Sequence, residues 1–478
     1  MPAPFHRAIL IATALALIAP AGGVRAKPLA GCSDACGNEA EPTLTAPTLV
    51  QPALLSGPNF RVVPEVEMRG YMAHFLIDTP YGPLTADSVD LLGVRVSEIP
   101  ALEALDRASK TDAFAHALAE RGRKTGAAVV NVFAHPIDTV IGLPAGVVRY
   151  LRKQLDTWGG RAQSLADQTA RHAENRGDPY RAPEGPMTAA RDVPVGEVPR
   201  DGTKNRAWYA RAGSEASRET KRYLKYSQQR REMAKVLGVD PNSTNPILNE
   251  MLDSLAWAAV AGNFSAGAAL GQIAGTPATV ISESGRINQY VLEVEPEQLR
   301  ETLDRRLHKL CSDDASIRSF LRRGGFSDTL RVALIDRLEQ LQPQQGCNEL
   351  VELAATTRGE VEARYLVDAL MLIAQRVPSG SQGTLLVLGA AVAWRGDDEH
   401  LLLPLPVDYL TWSHDLGAFF NQPTFAATDK SVLIGGEASI TAQREIAARG
   451  WNQVTRASYA GAPAYAAGSF APGTAGAP

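Results

Sequence analysis

The spacing of apolar and polar positions changes period several times along the chain. In Tyr71-Met72-Ala73-His74-Phe75-Leu76-Ile77-Asp78 the side chains of Tyr71, Ala73, Phe75 and Ile77 fall on alternate positions, which predicts a strand with that face inward. Thr79-Pro80-Tyr81-Gly82 supplies a turn, and residues 84–89 a returning strand. Residues 61–68 predict an earlier partner strand, which Pro64 confines to an edge.

The period then becomes helical. Thr111 is placed to cap a helix reading TDAFAHALAERGRK, and Pro136 and Pro144 open short helices in residues 125–148, where Asp138 is the only formal charge. Ser214 caps a long helix through Val236, which Gly238 ends; Asn245 caps the next, opening at Pro246. Leu248, Leu252, Leu255 and Ala259 share one face of it. Further helices are expected at residues 296–310, 327–341, 347–355 and 360–376. Residues 383–394, GTLLVLGAAVAW, read as one buried strand that turns at Gly396-Asp397-Asp398 and returns over 400–407. A helix at 408–420, a strand at 431–434, a helix at 441–449 and a strand at 451–455 follow.

These elements predict a mainly helical α+β protein: an N-terminal β-hairpin or small sheet with helices, a central helical domain and a small C-terminal α/β unit. The expected order is a signal peptide at 1–26, a disordered tether at 27–58, the sheet-plus-helices domain at 59–158 and a disordered linker at 159–213. The helical domain at 214–378, the α/β unit at 379–458 and a disordered tail at 459–478 complete it. The linker carries prolines and mixed charges but almost no aliphatic residues.

The signal peptide rests on Arg7 and the apolar core Ala8 to Ile18, too short to span a bilayer, followed by the small-residue pattern Val24-Arg25-Ala26. Leu29-Ala30-Gly31-Cys32 matches a bacterial lipid-attachment box. Pro20, Arg25, Lys27 and Pro28 separate it from the apolar core, which favours ordinary cleavage and a periplasmic or secreted chain; anchoring through Cys32 is the alternative. The four cysteines, Cys32, Cys36, Cys311 and Cys347, allow three connectivities, of which sequence proximity favours Cys32–Cys36 and Cys311–Cys347. Their spacing fits no zinc site. A net charge of −4 gives no argument for a polyanionic partner.

Candidate chemistry is sparse. No nucleophile elbow, phosphate loop, zinc-binding helix or dinucleotide fingerprint is present, and no metal or cofactor is expected. Residues 240–251 fail as a calcium loop, because Asn245 stands where glycine is needed and Met251 where a bidentate glutamate is needed; turn plus helix cap is the better reading. The stretch 218–235 carries seven basic residues against two acidic ones, with Arg218, Arg222, Lys225, Arg230 and Arg231 as candidate contacts to an anionic membrane surface or an envelope protein. Export disfavours nucleic acid. Residues 254–282 carry no charge, and Gly267, Gly271 and Gly275 recur there every fourth residue, a stripe that lets another helix approach closely.

The leading expectation is therefore a non-catalytic exported envelope protein that binds a protein or membrane surface through the basic helix and the glycine stripe. One alternative is an envelope hydrolase with a site near Asp408 and His414, at the end of a buried strand, although helix capping is the commoner role for Asp408. Another is a membrane-inserting oligomer built on the glycines. The pairs Asp313-Asp314 and Asp397-Asp398 read as a helix cap and a hairpin turn.

Several segments carry a resemblance: residues 226–248 (YSQQRREMAKVLGVDPNSTNPIL), 349–366 (ELVELAATTRGEVEARYL), 403–413 (LPLPVDYLTWS) and 435–451 (GGEASITAQREIAARGW), with TDAFAHAL and HPIDTVIGLPAGV nearer the N-terminus. Together the chain resembles a family of exported proteins of Gram-negative bacteria to which no activity is assigned. The resemblance implies export and this domain order, and carries no catalytic residues with it.

Overall fold

A computed structural model describes residues 38–111, 214–262, 265–271, 289–322, 325–357, 359–463 and 465–466. The protein is α+β and mainly helical. The signal peptide, Cys32, Cys36, the helices expected from Thr111 to residue 148, the linker and Gly275 lie outside the described residues.

The chain opens with β1 (Thr43–Thr45), the short helix α1 (Ala46–Leu49), β2 (Ser56–Gly57), β3 (Phe60–Val62), β4 (Glu65–Arg69), β5 (Met72–Asp78) and β6 (Leu84–Ala86). β3 and β4 lie along one edge of β5 and β6 along the other, all antiparallel, and β1 adds outside β4. Pro64 falls in the break between β3 and β4. As the alternation predicts, Ala73, Phe75 and Ile77 are buried while Leu76 is exposed.

Residues 38–57, expected to belong to a disordered tether, are folded. Ala46, Leu49, Val50 and Leu54 are all buried against the sheet, so this Pro- and Thr-rich stretch holds enough well-placed apolar side chains to dock. The expected strand at 84–89 is cut short because Ser88 caps α2 (Val89–Ser109), its Oγ accepting from Leu91 N at 2.9 Å.

α3 (Ser214–Leu237) ends at Gly238, whose φ of 70° takes the left-handed form that glycine tolerates. α4 (Pro246–Gly262) opens where expected, with Asn245 Oδ1 accepting from Ile247 N and Leu248 N at 3.1 and 3.2 Å. α5 (Ala266–Gly271), α6 (Gln289–Glu293), α7 (Pro296–Leu307) and α8 (Asp314–Arg322) follow, then α9 (Asp328–Leu341), α10 (Cys347–Ala355) and α11 (Glu360–Arg376). Cys311 and Cys347 form the expected disulfide between the segments that precede α8 and open α10.

The run 383–394 is two strands, not one. β7 (Gly383–Leu388) and β8 (Ala391–Gly396) form a hairpin about Gly389, whose φ is 66°; a continuous apolar run conceals a turn made from small residues. β9 (Leu401–Leu405), β11 (Lys430–Ile434) and β13 (Asn452–Val454) complete a sheet of order β13-β11-β9-β8-β7, with the β9–β11 and β11–β13 pairs parallel. α13 (Ile440–Ala448) makes the crossover. Pro404 pairs with Leu433 of β11, while β8 pairs only with Leu401 and Leu402, so the missing donor falls beyond β8.

The expected helix at 408–420 is confined to α12 (His414–Phe420). Ser413 caps it, and before it β10 (Tyr409–Leu410) pairs with β12 (Glu437–Ala438). The expected tail is also partly folded, with Tyr459 and Tyr465 docked through their hydroxyls.

Two large cores result. One joins the N-terminal sheet with α2, α3 and α4; the other joins α7–α11 with the C-terminal sheet. The expected helical domain at 214–378 is thus shared between them. Met72 belongs to the second core and Tyr409 to the first, so the two interlock where β5 meets β10.

Candidate functional site

At this junction lies a cavity of about 280 Å³. Its apolar walls are Leu405, Val407, Leu410, Leu416 and Phe419, with the rings of Tyr71 and Tyr365. Its polar lining is Asn38, Glu39, Glu41, Thr411, Ser413 and Asp415. Among the described lining residues three carry carboxylates and none carries a cation.

Each wall has a local cause. Arg69 pairs with Met72 across a tight turn in which Gly70 and Tyr71 both take left-handed backbone, at φ 63° and 68°. That turn suits the twist of a hairpin and favours glycine or asparagine at both positions. Tyrosine there is strained, and the strained geometry directs its ring into the cavity wall. Its hydroxyl lies 3.4 Å from Ser413 Oγ, and its backbone N–H donates to Glu41 Oε1 at 3.0 Å. Ser413 Oγ caps α12 by accepting from Leu416 N at 3.1 Å. The stretch 38–41 is pinned by Glu39, whose Oε2 accepts from Trp412 N at 2.6 Å and Ser439 Oγ at 2.5 Å. Asn38 Oδ1 accepts from His414 N at 2.9 Å.

Beneath the Tyr71 wall sits Asp408, 1% exposed. Its backbone N–H and that of Tyr409 both donate to Tyr71 O, at 3.0 and 3.1 Å. Its carboxylate accepts from Ala73 N at 2.9 Å, Tyr465 OH at 2.7 Å and Val89 N at 3.2 Å. Asp408 does cap a helix, but not the one that follows it: Val89 is the first residue of α2. Burial pushes the Asp408 carboxyl up to about 6 against the pull of these donors. The Tyr465 hydroxyl is raised well above its usual range by burial and by Asp408 beside it.

A second polar cluster joins the two cores. Arg364 donates to Asp90 Oδ2 at 3.0 Å and to Glu360 Oε1 at 2.6 Å; Arg95 donates to Glu360 Oε2 at 3.1 Å and Glu98 Oε2 at 3.2 Å. The turn before α4 feeds the same cluster: Asn245 Nδ2 donates to Glu98 at 2.9 Å, and Ser243 and Thr244 hydroxyls to Glu98 and Glu360. Burial alone would raise Glu360, but Arg364 and Arg95 outweigh it and hold its carboxyl at about 2. Asp240, in the same turn, is pushed up to about 6 by desolvation. These residues satisfy one another's charges.

The residues singled out from sequence fall elsewhere. Arg230 donates to Pro241 O at 2.8 Å and Asn249 Oδ1 at 2.6 Å and pairs with Asp253; Arg231 pairs with Glu295. Lys225 is exposed. The side chains of Arg218 and Arg222 lie outside the described residues. Gly267 is buried on α3, where an added Cβ would meet Glu232 Cβ at 3.1 Å; at Gly271 it would meet no described residue within 4 Å. His414 is exposed and outside the cavity lining, so Asp408 and His414 do not share a cleft. Asp313 caps α8, and Asp398 accepts from His400 N in the hairpin turn. Sequence reasoning missed Tyr71 and Glu39; the one signal was a bulky residue beside Gly70 in a tight hairpin.

No cluster of metal-ligating side chains occurs among the described residues, and no described helix is long and apolar enough to cross a membrane. No family model, no curated protein and no solved structure matches the chain.

Proposed function

We propose that the chain is an exported, non-catalytic binding protein of the bacterial envelope that holds a small organic ligand in the cavity between Tyr71 and α12. The observation that carries this reading is the cavity itself: apolar walls with a few convergent polar groups, at the junction of two cores. Its lining supplies no histidine, cysteine or lysine to pair with Ser413 or Thr411, which supports binding rather than acyl transfer. Neither Glu39 nor Glu41 has an ion-pair partner among the described residues, so the lining favours a ligand with an apolar body and an amine over an anion. The disulfide and the leader sequence support an oxidising compartment.

Titration calorimetry with para-tert-butylbenzylamine, the matching benzyl alcohol and the matching benzoate tests the reading. The amine should bind tightest and the benzoate not at all, and Leu410→Trp, which fills the cavity, should abolish binding. Absence of binding by all three, or binding indifferent to Leu410→Trp, overturns it.

Docking on an anionic membrane through α3 remains the second reading, favoured by the exposed Lys225 and the open face at Gly271. Loss of vesicle association on Lys225→Glu supports it; unchanged association removes it.

A further inference from the structure

Residues 456–463 and 465–466 lead from the C-terminal sheet back onto the N-terminal one. Tyr465 forms a β-bridge with Val50, Ala466 N donates to Leu49 O at 2.9 Å, and Arg456 Nη1 donates to Ala466 O at 2.7 Å. The Tyr465 hydroxyl meets the carboxylate of Asp408, which is shared with Ala73 N and Val89 N. The backbone of Asp408 in turn holds Tyr71 O, and Tyr71 forms the cavity wall. A single buried residue, Asp408, thus connects the C-terminal segment and the start of α2 through its carboxylate and the wall of the cavity through its backbone.

We propose that the C-terminal segment is a strap that sets the cavity: docked through Tyr465, it holds Asp408 and the Tyr71 wall in their binding arrangement, and released, it lets that wall relax. The physical cause is hydrogen-bond supply. A buried carboxylate is costly unless its oxygens are met by donors. Tyr465 is the donor that the C-terminal segment brings, so undocking of that segment from Leu49 and Val50 takes the donor away from Asp408. Asp408 then draws water or shifts toward it, and the bonds to Tyr71, Ala73 and Val89 loosen together. By linkage, a ligand that needs the wall in place also favours the docked strap. This inference rests on the cavity being the binding site.

Hydrogen exchange and calorimetry on the full chain test it, with Tyr465→Phe, which keeps the ring and removes the hydroxyl, and a chain lacking residues 458–478. Both variants should speed exchange of the Ala73 and Val89 amides by about tenfold or more, leave amides of α9 such as Leu334 unchanged, and weaken para-tert-butylbenzylamine by a similar factor. In the wild type, saturation with the amine should slow exchange at Ala466. Unchanged exchange at Ala73 and Val89 in a folded Tyr465→Phe chain overturns the strap. So does unaltered amine affinity in a variant whose exchange rises. A wild-type chain that binds none of the three probes overturns the cavity reading instead, and exchange alone then decides whether the segment is a strap.

Discussion

Tyr465 donates its hydroxyl to Asp408 across 2.7 Å, and between them the two side chains join the end of the described chain to the first turn of a helix more than three hundred residues earlier. Asp408 is buried and Tyr465 partly so, and the carboxylate bears the cost of that burial. Its pH behaviour follows.

Folded Asp408 holds its proton up to about 6, against an ordinary value of 3.8. The folded state therefore binds more protons than the unfolded one between these limits, and the stability from this group is fully present below about 3.8 and lost as pH rises through about 6. The loss amounts to at most about 3 kcal/mol. Asp408→Asn should be less stable than wild type, because one acceptor becomes a donor facing Ala73 N. It should also show a flatter fall in urea-unfolding free energy between about pH 4 and 6.5. An unaltered slope would place the titration elsewhere, with Asp240 the next group to test.

Glu360 has the opposite sign. Its folded carboxyl lies at about 2 against 4.5, so its contribution is present above about 4.5 and lost as pH falls through about 2. Glu360→Gln should cost about 3 kcal/mol or more at neutral pH, since it leaves Arg95 and Arg364 short of an anion in a buried site. Circular dichroism through an acid titration should show the wild type losing stability on this limb and the variant losing much less.

The glycines of α5 separate packing from docking. Gly267→Leu should destabilise the fold by about 1–3 kcal/mol, because the side chain has to displace α3 at Glu232. Gly271→Ala should be about neutral, its new methyl meeting none of the described residues. Thermal melts of the two variants check this directly. Equal effects would mean that the two positions are packed alike.

Tyr71 trades stability for a cavity wall. Tyr71→Asn places a residue suited to left-handed backbone in the turn, so stability should change by no more than about 1 kcal/mol. Amine binding should fall at least tenfold, because the ring is gone. Calorimetry beside a melt reads both. A variant that melts normally and binds normally would remove Tyr71 from the site.

Local patterns were legible where one signal acted alone. The cap at Asn245, the stop at Gly238 and the alternation of β5 all stand in the sequence as they stand in the fold. Errors came where two signals overlapped. The apolar run 383–394 masked Gly389, and Asp408, a good capping residue, stands before a helix that Ser413 caps. The basic stretch of α3 showed its charge but not its partners, since Asp253 and Glu295 lie far along the chain. The cavity was invisible for the same reason: its lining comes from residues 38–41, Tyr71, Tyr365 and 405–419, and no single segment carries a motif.

Glu39 bonds to Trp412 and Ser439, and Asn38 to His414, across 373, 400 and 376 residues. A chain delivered N-terminus first presents residues 38–41 long before their partners exist. Closing loops of that length is slow and entropically unfavourable until the sheets at both ends have formed. The cavity is therefore completed among the last events of folding, and an unfinished chain, however much of its cores it has built, has no site to fill.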